Sequence, residues 1–267
     1  MTGSDFVKIT VLAENTSCAD DCGCEHGLSL FVDADSSRIL FDTGQTDLFA
    51  ENARKLGAAL DEVDMAVLSH GHYDHGGGIS RFLELNEKAK VYLSRYAFGD
   101  YYSEKYIGLD KRLSDSGRLV YIGDDELNVG GVRLIPWGTA ECAHPSFSGG
   151  LSKVEEGVTM PDDFRHEQYM LMEHNGRRVL FSGCSHKGIL NIMERFRPDV
   201  MIGGFHFMKL SADGEGREQL LHCARLLGEY PTEYYTCHCT GTEQYSVLSS
   251  VMGDRLHYIS TGMTFDI

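Results

Sequence analysis

Val67-Leu-Ser-His-Gly-His-Tyr-Asp-His-Gly-Gly-Gly78 sets three imidazoles and a carboxylate within six residues, His70 to His75, directly after a short apolar run. Histidine nitrogen and carboxylate oxygen are the donors that zinc, iron and manganese accept in catalytic sites. His70 and His72 stand at i, i+2, so at the end of an extended strand both project to one side and can hold one ion. Asp74 and His75 then turn back towards a second ion, and Gly76 to Gly78 let the backbone pass close to the metals before a helix begins. A lone histidine would read as a satisfied core residue, but this spacing is hard to explain without metal.

A two-metal site needs donors from elsewhere in the chain, sought where strands run into small-residue turns. His186, closing Val179-Leu-Phe-Ser-Gly-Cys-Ser-His186, and His238, in Tyr235-Thr-Cys-His-Cys-Thr-Gly241, both fit and are taken as ligands. The metal set is then His70, His72, Asp74, His75, His186 and His238, leaving room for a bridging hydroxide. His206, in Gly203-Gly-Phe-His206, is assigned to substrate binding or to supporting a ligand. His26, in Glu25-His-Gly-Leu-Ser29, either contributes from an N-terminal loop or is simply exposed. Asp42, in Phe41-Asp-Thr-Gly44, sits where it can accept a hydrogen bond from a ligating imidazole and fix its tautomer, the plainer reading being a helix cap or turn. His144 and His166 are not chosen as ligands. Cys18, Cys22 and Cys24 lack the paired Cys-x-x-Cys spacing of a structural zinc site and read as loop thiols.

Outward from these motifs, apolar runs bounded by Gly, Asp and Asn predict strands at 7–12, 28–32, 38–41, 65–68, 90–93, 119–122, 132–135, 169–173, 179–182, 200–203 and 234–237. Helical spacing appears at 47–56, 79–86, 189–196, 218–227 and 243–252. The strand-then-helix rhythm occurs once in the first third and again after Gln168. It is compatible with two sheets packed face to face and helices outside, a four-layer αββα sandwich of mixed α/β class. No Pro-, Ser- or Gly-rich linker divides the chain, so one domain over residues 1–267 is expected. The stretch 95–117 differs: Tyr96, Phe98, Tyr101, Tyr102 and Tyr106 lie among Lys105, Lys111 and Arg112. It reads either as an insertion that lids a substrate pocket or as a surface helix with packed tyrosines.

Composition narrows the partners. The net charge is −16 and the Lys and Arg residues form no basic stripe, which speaks against nucleic acid. Met1 to Lys8 shows no basic start with an apolar core, and no run approaches 18 apolar residues, so a cytoplasmic protein with no membrane partner is expected. Eight cysteines without a leader read as reduced thiols or metal ligands rather than disulfides. The expected partner is a small-molecule substrate, and the oligomeric state is not written in the sequence.

His70-Gly-His-Tyr-Asp-His75 resembles the signature of the metallo-β-lactamase superfamily, and Phe41-Asp-Thr-Gly44 resembles its upstream aspartate motif. Glu25-His-Gly-Leu-Ser29, Gly183-Cys-Ser-His186, Gly203-Gly-Phe-His206 and Cys237-His-Cys-Thr-Gly241 resemble the branch named for 7,8-dihydropterin-6-methyl-4-(β-D-ribofuranosyl)aminobenzene-5'-phosphate synthase. The resemblance implies an αββα sandwich with metals at the edge between its sheets, and a ligand role for His70, His72, Asp74, His75 and His238. One slot departs from the pattern. Where a carboxylate bridging the metals is expected after Ser182-Gly183, this chain has Cys184. Either its thiolate replaces the bridge or His186 supplies the ligand instead; His186 is preferred, with Cys184 the lesser metal candidate.

The expected function is a dinuclear hydrolase using two divalent ions, zinc first, with manganese or iron suited to the same donors. Its substrate would be a small phosphorylated or ester-type metabolite, and Asp74 would be catalytic, orienting a metal-activated hydroxide. The resemblance also implies a group transfer in which an arylamine ribose phosphate is alkylated by a pterin-methyl unit with loss of pyrophosphate. A non-catalytic metal-binding protein is the third alternative.

Overall fold

The computed structural model describes residues 7–34 and 37–267. Residues 1–6 of the N-terminal stretch considered above for a leader lie outside the described residues.

The first sheet runs, in spatial order, β17 (Thr264–Asp266), β1 (Lys8–Ala13), β2 (Ser29–Ala34), β3 (Ser37–Phe41), β4 (Met65–Val67), β5 (Lys90–Ser94) and β7 (Leu119–Ile122). The second runs β16 (Leu256–Tyr258), β15 (Glu233–Thr236), β14 (Val200–Ile202), β13 (Arg177–Phe181), β12 (Gln168–His174), β9 (Val132–Pro136) and β8 (Leu127–Val129). Each sheet has a parallel part, β3-β4-β5-β7 in one and β13-β14-β15-β16 in the other, continued by antiparallel strands.

Strands buried on both faces read as continuous apolar runs, and the faces separate by parity. In β4, Met65 and Val67 enter the core between the sheets, whereas Ala66 faces α1 (Leu48–Leu56) and α3 (Ile79–Leu85). In β13, Val179 and Phe181 point to the same central core, while Leu180 meets α4 (Ile189–Phe196), α5 (Gly214–Gly228) and α6 (Thr242–Met252). The three apolar clusters thus define a helix–sheet–sheet–helix sandwich, the αββα architecture expected from the sequence.

Three expectations need correction. The stretch 95–117 is not a surface helix. Its β6 (Asp100–Tyr102) pairs with β10 (Ser152–Glu155), which in turn pairs with β11 (Val158–Pro161), and the only helical piece within it is a short 3-10 turn, Lys111–Leu113. Pairing with a distant strand overrides local spacing. The glycine run does not lie against the donors: a side chain at Gly77 would strike the carbonyl of Gln45, and one at Gly78 the carbonyl of Thr43 and the ring of Phe49. Those glycines let the loop after β3 pack onto the motif. The close approach within the motif is at Gly71, where a side chain would strike the backbone of Ala97. Helix α5 begins at Gly214 rather than at 218, because Gly214 and Gly216 conceal its first turn. Among the described residues no helix is long and apolar enough to cross a membrane. All eight cysteines are unpaired.

Candidate metal centre

Every donor singled out above, His26 apart, follows the carboxyl end of a parallel strand, where open α/β sheets place their ligands. Asp42 follows β3, the motif His70 to His75 follows β4, Cys184 and His186 follow β13, His206 follows β14 and His238 follows β15. The edge between the two sheets brings these loops together. Five of the eight non-glycine residues with left-handed backbone among the described residues are here, Asp42, Phe164, Ser185, His206 and His238, with φ between 49° and 58°. Such conformations cost energy and concentrate where a site over-determines its backbone.

The donors form two groups. His70, His72 and His186 make one: their ring centroids are 4.6 to 4.9 Å apart, and Nε2 of His70 lies 3.3 Å from Nε2 of His186. Asp74, His75 and His238 make the other: Nε2 of His75 is 3.2 Å from Nε2 of His238, which is 3.3 Å from the Asp74 carboxylate. Cys184 lies between the groups, its sulfur 3.2 Å from Nε2 of His75 and clustered with His70, with His186 and His206, and with His238 and Cys239. The structure therefore does not choose between Cys184 and His186 but brings both to the centre.

Hydrogen bonds fix the tautomers. Ser69 Oγ donates to Asp42 (2.7 Å) and so accepts from Nδ1 of His70 (2.9 Å). Ser148 Oγ donates to the carbonyl of His186 and accepts from its Nδ1, both at 3.1 Å. Nδ1 of His75 donates to Asp42 (2.7 Å), and Nδ1 of His238 donates to Oδ1 of Asn15 (2.7 Å). With the proton of each ring on Nδ1, the four Nε2 lone pairs point at one another in two facing pairs. Nε2 of His72 is buried without a hydrogen bond among the described residues. Facing lone pairs repel unless a proton or a metal ion lies between them, and the donor chemistry of the cluster fits a metal ion.

Electrostatics agree. Burial, then neighbouring imidazoles, hold His70 and His186 well below the ordinary histidine range, and His72 is pushed down to about 3, so these rings stay neutral as ligands must be. For His75 burial also opposes charge, but Asp42 and Asp74 outweigh it and its pKa rises. Burial would raise Asp74, yet His75, His238 and His26 bring it well below the usual carboxylate range. Burial pushes the Cys184 thiol well up.

The remaining residues flank this centre. His26, 46% exposed, lies 3.3 Å from Asp74 and its ring contacts that of His238. His206 packs 4.4 Å from His186, and its buried ring nitrogens make no hydrogen bond of acceptable geometry among the described residues. His72, Asp74, Cys184, His186 and His238 line a cavity of about 190 Å³, whose walls include Ser103, Lys105 and Ile107 of the insertion and Met208 and Lys209 after β14. His144 is remote, paired with Glu194 on α4. Cys18 bonds the carbonyl of Thr261, away from the centre.

Sequence reasoning overlooked the groups that brace the donor loops. Buried Glu14 accepts from the amide of His238 (2.6 Å), and buried Glu167 accepts from the amides of His186 (2.6 Å) and Lys187 (2.9 Å). Both acids abut an apolar strand, Glu14 just after β1 and Glu167 just before β12, and an acid in that position was the available signal. Nothing in the local sequence marked Asn15 or Ser148.

Residues 22–159, just over half of the 267-residue chain, match the metallo-beta-lactamase superfamily. The chain belongs to this superfamily. Among curated proteins it is 28% identical over 275 residues to the 7,8-dihydropterin-6-methyl-4-(beta-D-ribofuranosyl)-aminobenzene-5'-phosphate synthase of Methanocaldococcus jannaschii, covering 89% of this chain and 88% of that one. An uncharacterised protein of the same organism is 25% identical over 256 residues, covering 91% and 94%. Of solved structures, Tm1679, described as a metal-dependent hydrolase of the beta-lactamase superfamily, superposes with a TM-score of 0.82 at 29% identity over 98% of this chain and 99% of that one. YhfI of Bacillus subtilis, a metallo-beta-lactamase fold protein, shares the fold at 15% identity, 99% and 100% coverage and a TM-score of 0.63. Membership of the superfamily supports a metal-dependent enzyme in general.

Proposed function

We propose that the protein is a dinuclear metal-dependent hydrolase of a small phosphorylated metabolite. His70, His72 and His186 would hold one ion, Asp74, His75 and His238 the other, with the Cys184 sulfur between them. The observation that carries this reading is the two facing pairs of Nε2 lone pairs, each imidazole locked by its own acceptor at Nδ1. Sulfur and imidazole together suit zinc, or iron, better than manganese.

Bound ions would supply Lewis acidity and lower the pKa of water towards neutrality. The chain supplies the rest. Asp74, held far below the usual range, is a poor base; its carboxylate orients the attacking water rather than taking its proton. His206 lines the cavity, and its ring nitrogens are buried without a hydrogen-bond partner among the described residues, so we assign it to hydrogen-bonding the substrate. Lys105 and Lys209 set two ammonium groups on the walls of the cavity in a chain of net charge −16, which selects an anionic substrate. Ile107, Leu151 and Met208 provide the apolar wall that limits water.

A double substitution, His72→Ala with His75→Ala, tests the reading by removing one donor from each group. Zinc-loaded wild type should turn over members of a phosphoester panel, and the variant should lose metal and turnover together. Activity retained by metal-free variant would sink the proposal. The 28% identity to the named synthase favours a second reading, group transfer to an amine. Product formation that requires an amine acceptor would replace the hydrolase by that transferase, with the same metal centre.

A further inference from the structure

The segment Asp162–Gln168, which enters β12, touches both donor loops of the all-imidazole group. The amide of Gly71, between His70 and His72, donates to Nδ1 of His166 at 2.9 Å. That nitrogen is therefore unprotonated, and Nε2 carries the proton it gives to Asp162, at 3.1 Å. The other oxygen of Asp162 accepts from the amide of Phe164 at 2.8 Å, holding the left-handed turn that stacks the Phe164 ring on His186, with centroids 4.6 Å apart and planes 3° from parallel. Further along, Glu167 accepts from the amide of His186, and Gln168 donates to the carbonyls of Leu68 and Ser69, at 2.7 and 2.8 Å. His166 is fully buried, capped by Tyr101 at 4.0 Å. Both its nitrogens are spent, so it is not itself a donor. Among the described residues no hydrogen bond from this segment reaches Asp74, His75 or His238.

We propose that His166 is a positioning residue, and that the segment Asp162–Gln168 is a clamp fixing the spacing between the His70–His72 loop and His186. The inference rests on the reading that these three imidazoles hold an ion. It assigns the clamp to one ion only, because the segment makes no hydrogen bond to Asp74, His75 or His238 among the described residues; those are braced by Asn15, Glu14 and Asp42, the last of which also reaches His70 through Ser69.

Cobalt(II) titration of the full-length protein, followed by visible absorption and metal count, separates the possibilities. His166→Ala should weaken one of the two ions by about 10- to 100-fold, the range for groups that orient metal ligands, and leave the other at wild-type affinity. His166→Asn, whose Oδ1 takes the place of Nδ1 and can accept from Gly71, should recover most of that loss. Equal weakening of both ions in the two variants would reduce His166 to packing, and wild-type affinity in His166→Ala would remove the clamp altogether; either overturns the proposal. If wild type itself takes up no cobalt, the metal centre fails and this inference with it, a result distinct from a failure confined to the variants.

Discussion

The two sheets furnish the centre in different ways. The first delivers four donors from one six-residue stretch after β4, whereas the second delivers its side chains from three separate loops, Cys184 and His186 after β13, His206 after β14 and His238 after β15. A contiguous motif fixes its own internal geometry, since His70, His72, Asp74 and His75 share a strand end and one helical turn, α2 (Tyr73–Gly76). Scattered donors need an external brace each, and the structure supplies buried carboxylates: Glu167 for the loop of His186 and Glu14 for that of His238. The first sheet uses the same device once, through Asp42, but with a difference. Asp42 accepts from the Ser69 amide, the Ser69 hydroxyl and an imidazole of the donor set, whereas Glu167 accepts from two backbone amides and the hydroxyl of Tyr169.

This contrast sets the order of the predictions. Asp42→Ala strands a buried imidazole whose pKa the carboxylate had raised, together with two further donors, and should cost about 3 to 5 kcal/mol, the range for one member of a buried charged pair. Glu167→Gln keeps an acceptor oxygen for part of its donor set, and burial pushes its carboxyl up, so burial already works against the charge that the substitution removes. Its cost should be about 1 to 3 kcal/mol, that of unsatisfied neutral donors. Urea denaturation of the two metal-free variants compares them directly; equal losses would erase the distinction between the two braces.

Cys184 sharpens the comparison next, because it is where the second sheet reaches both groups. Cys184→Ser leaves the six histidine and aspartate donors but takes away the sulfur, and zinc affinity should fall about tenfold, or roughly 1.4 kcal/mol. Cys184→Asp, which restores the carboxylate expected at that slot, should keep both ions and move preference from zinc towards manganese. Competition titrations with the two metals read the shift. Unchanged selectivity in Cys184→Asp would place the sulfur outside the centre.

The same contrast governs what was legible in the sequence. His70 to His75 was readable because adjacent residues carry their geometry with them, and the sandwich was readable because strands with two buried faces leave unbroken apolar runs. His186 and His238 were found only by their positions after such runs. His166 was passed over because its role depends on Gly71, ninety-five positions away in the chain, and no local pattern encodes that meeting. The extended course of 95–117 was hidden for the same reason, its partner β10 lying some fifty residues on. Left-handed Asp42, His206 and His238 give no signal at all in composition, since any residue held there is held by the fold.

The smallest effect concerns protons in the metal-free protein. His70, His72 and His186 have lowered folded pKa values, so below the ordinary histidine value, about 6.5, the unfolded chain binds more protons than the folded one. Stability from these groups rises with pH up to that value. His75 is raised, so its contribution is complete below about 6.5 and is lost as pH rises through its folded pKa. Metal-free protein should therefore be most stable near pH ~6.5, falling away on both sides. Chemical denaturation across pH 5 to 8, where titration of ordinary histidine is centred, measures this curve. His75→Gln should flatten its alkaline limb, and His72→Gln should soften the acid one. A curve that climbs steadily through pH 8 would mean that His75 gains no extra proton on folding, and that Asp42 and Asp74 do not outweigh its burial.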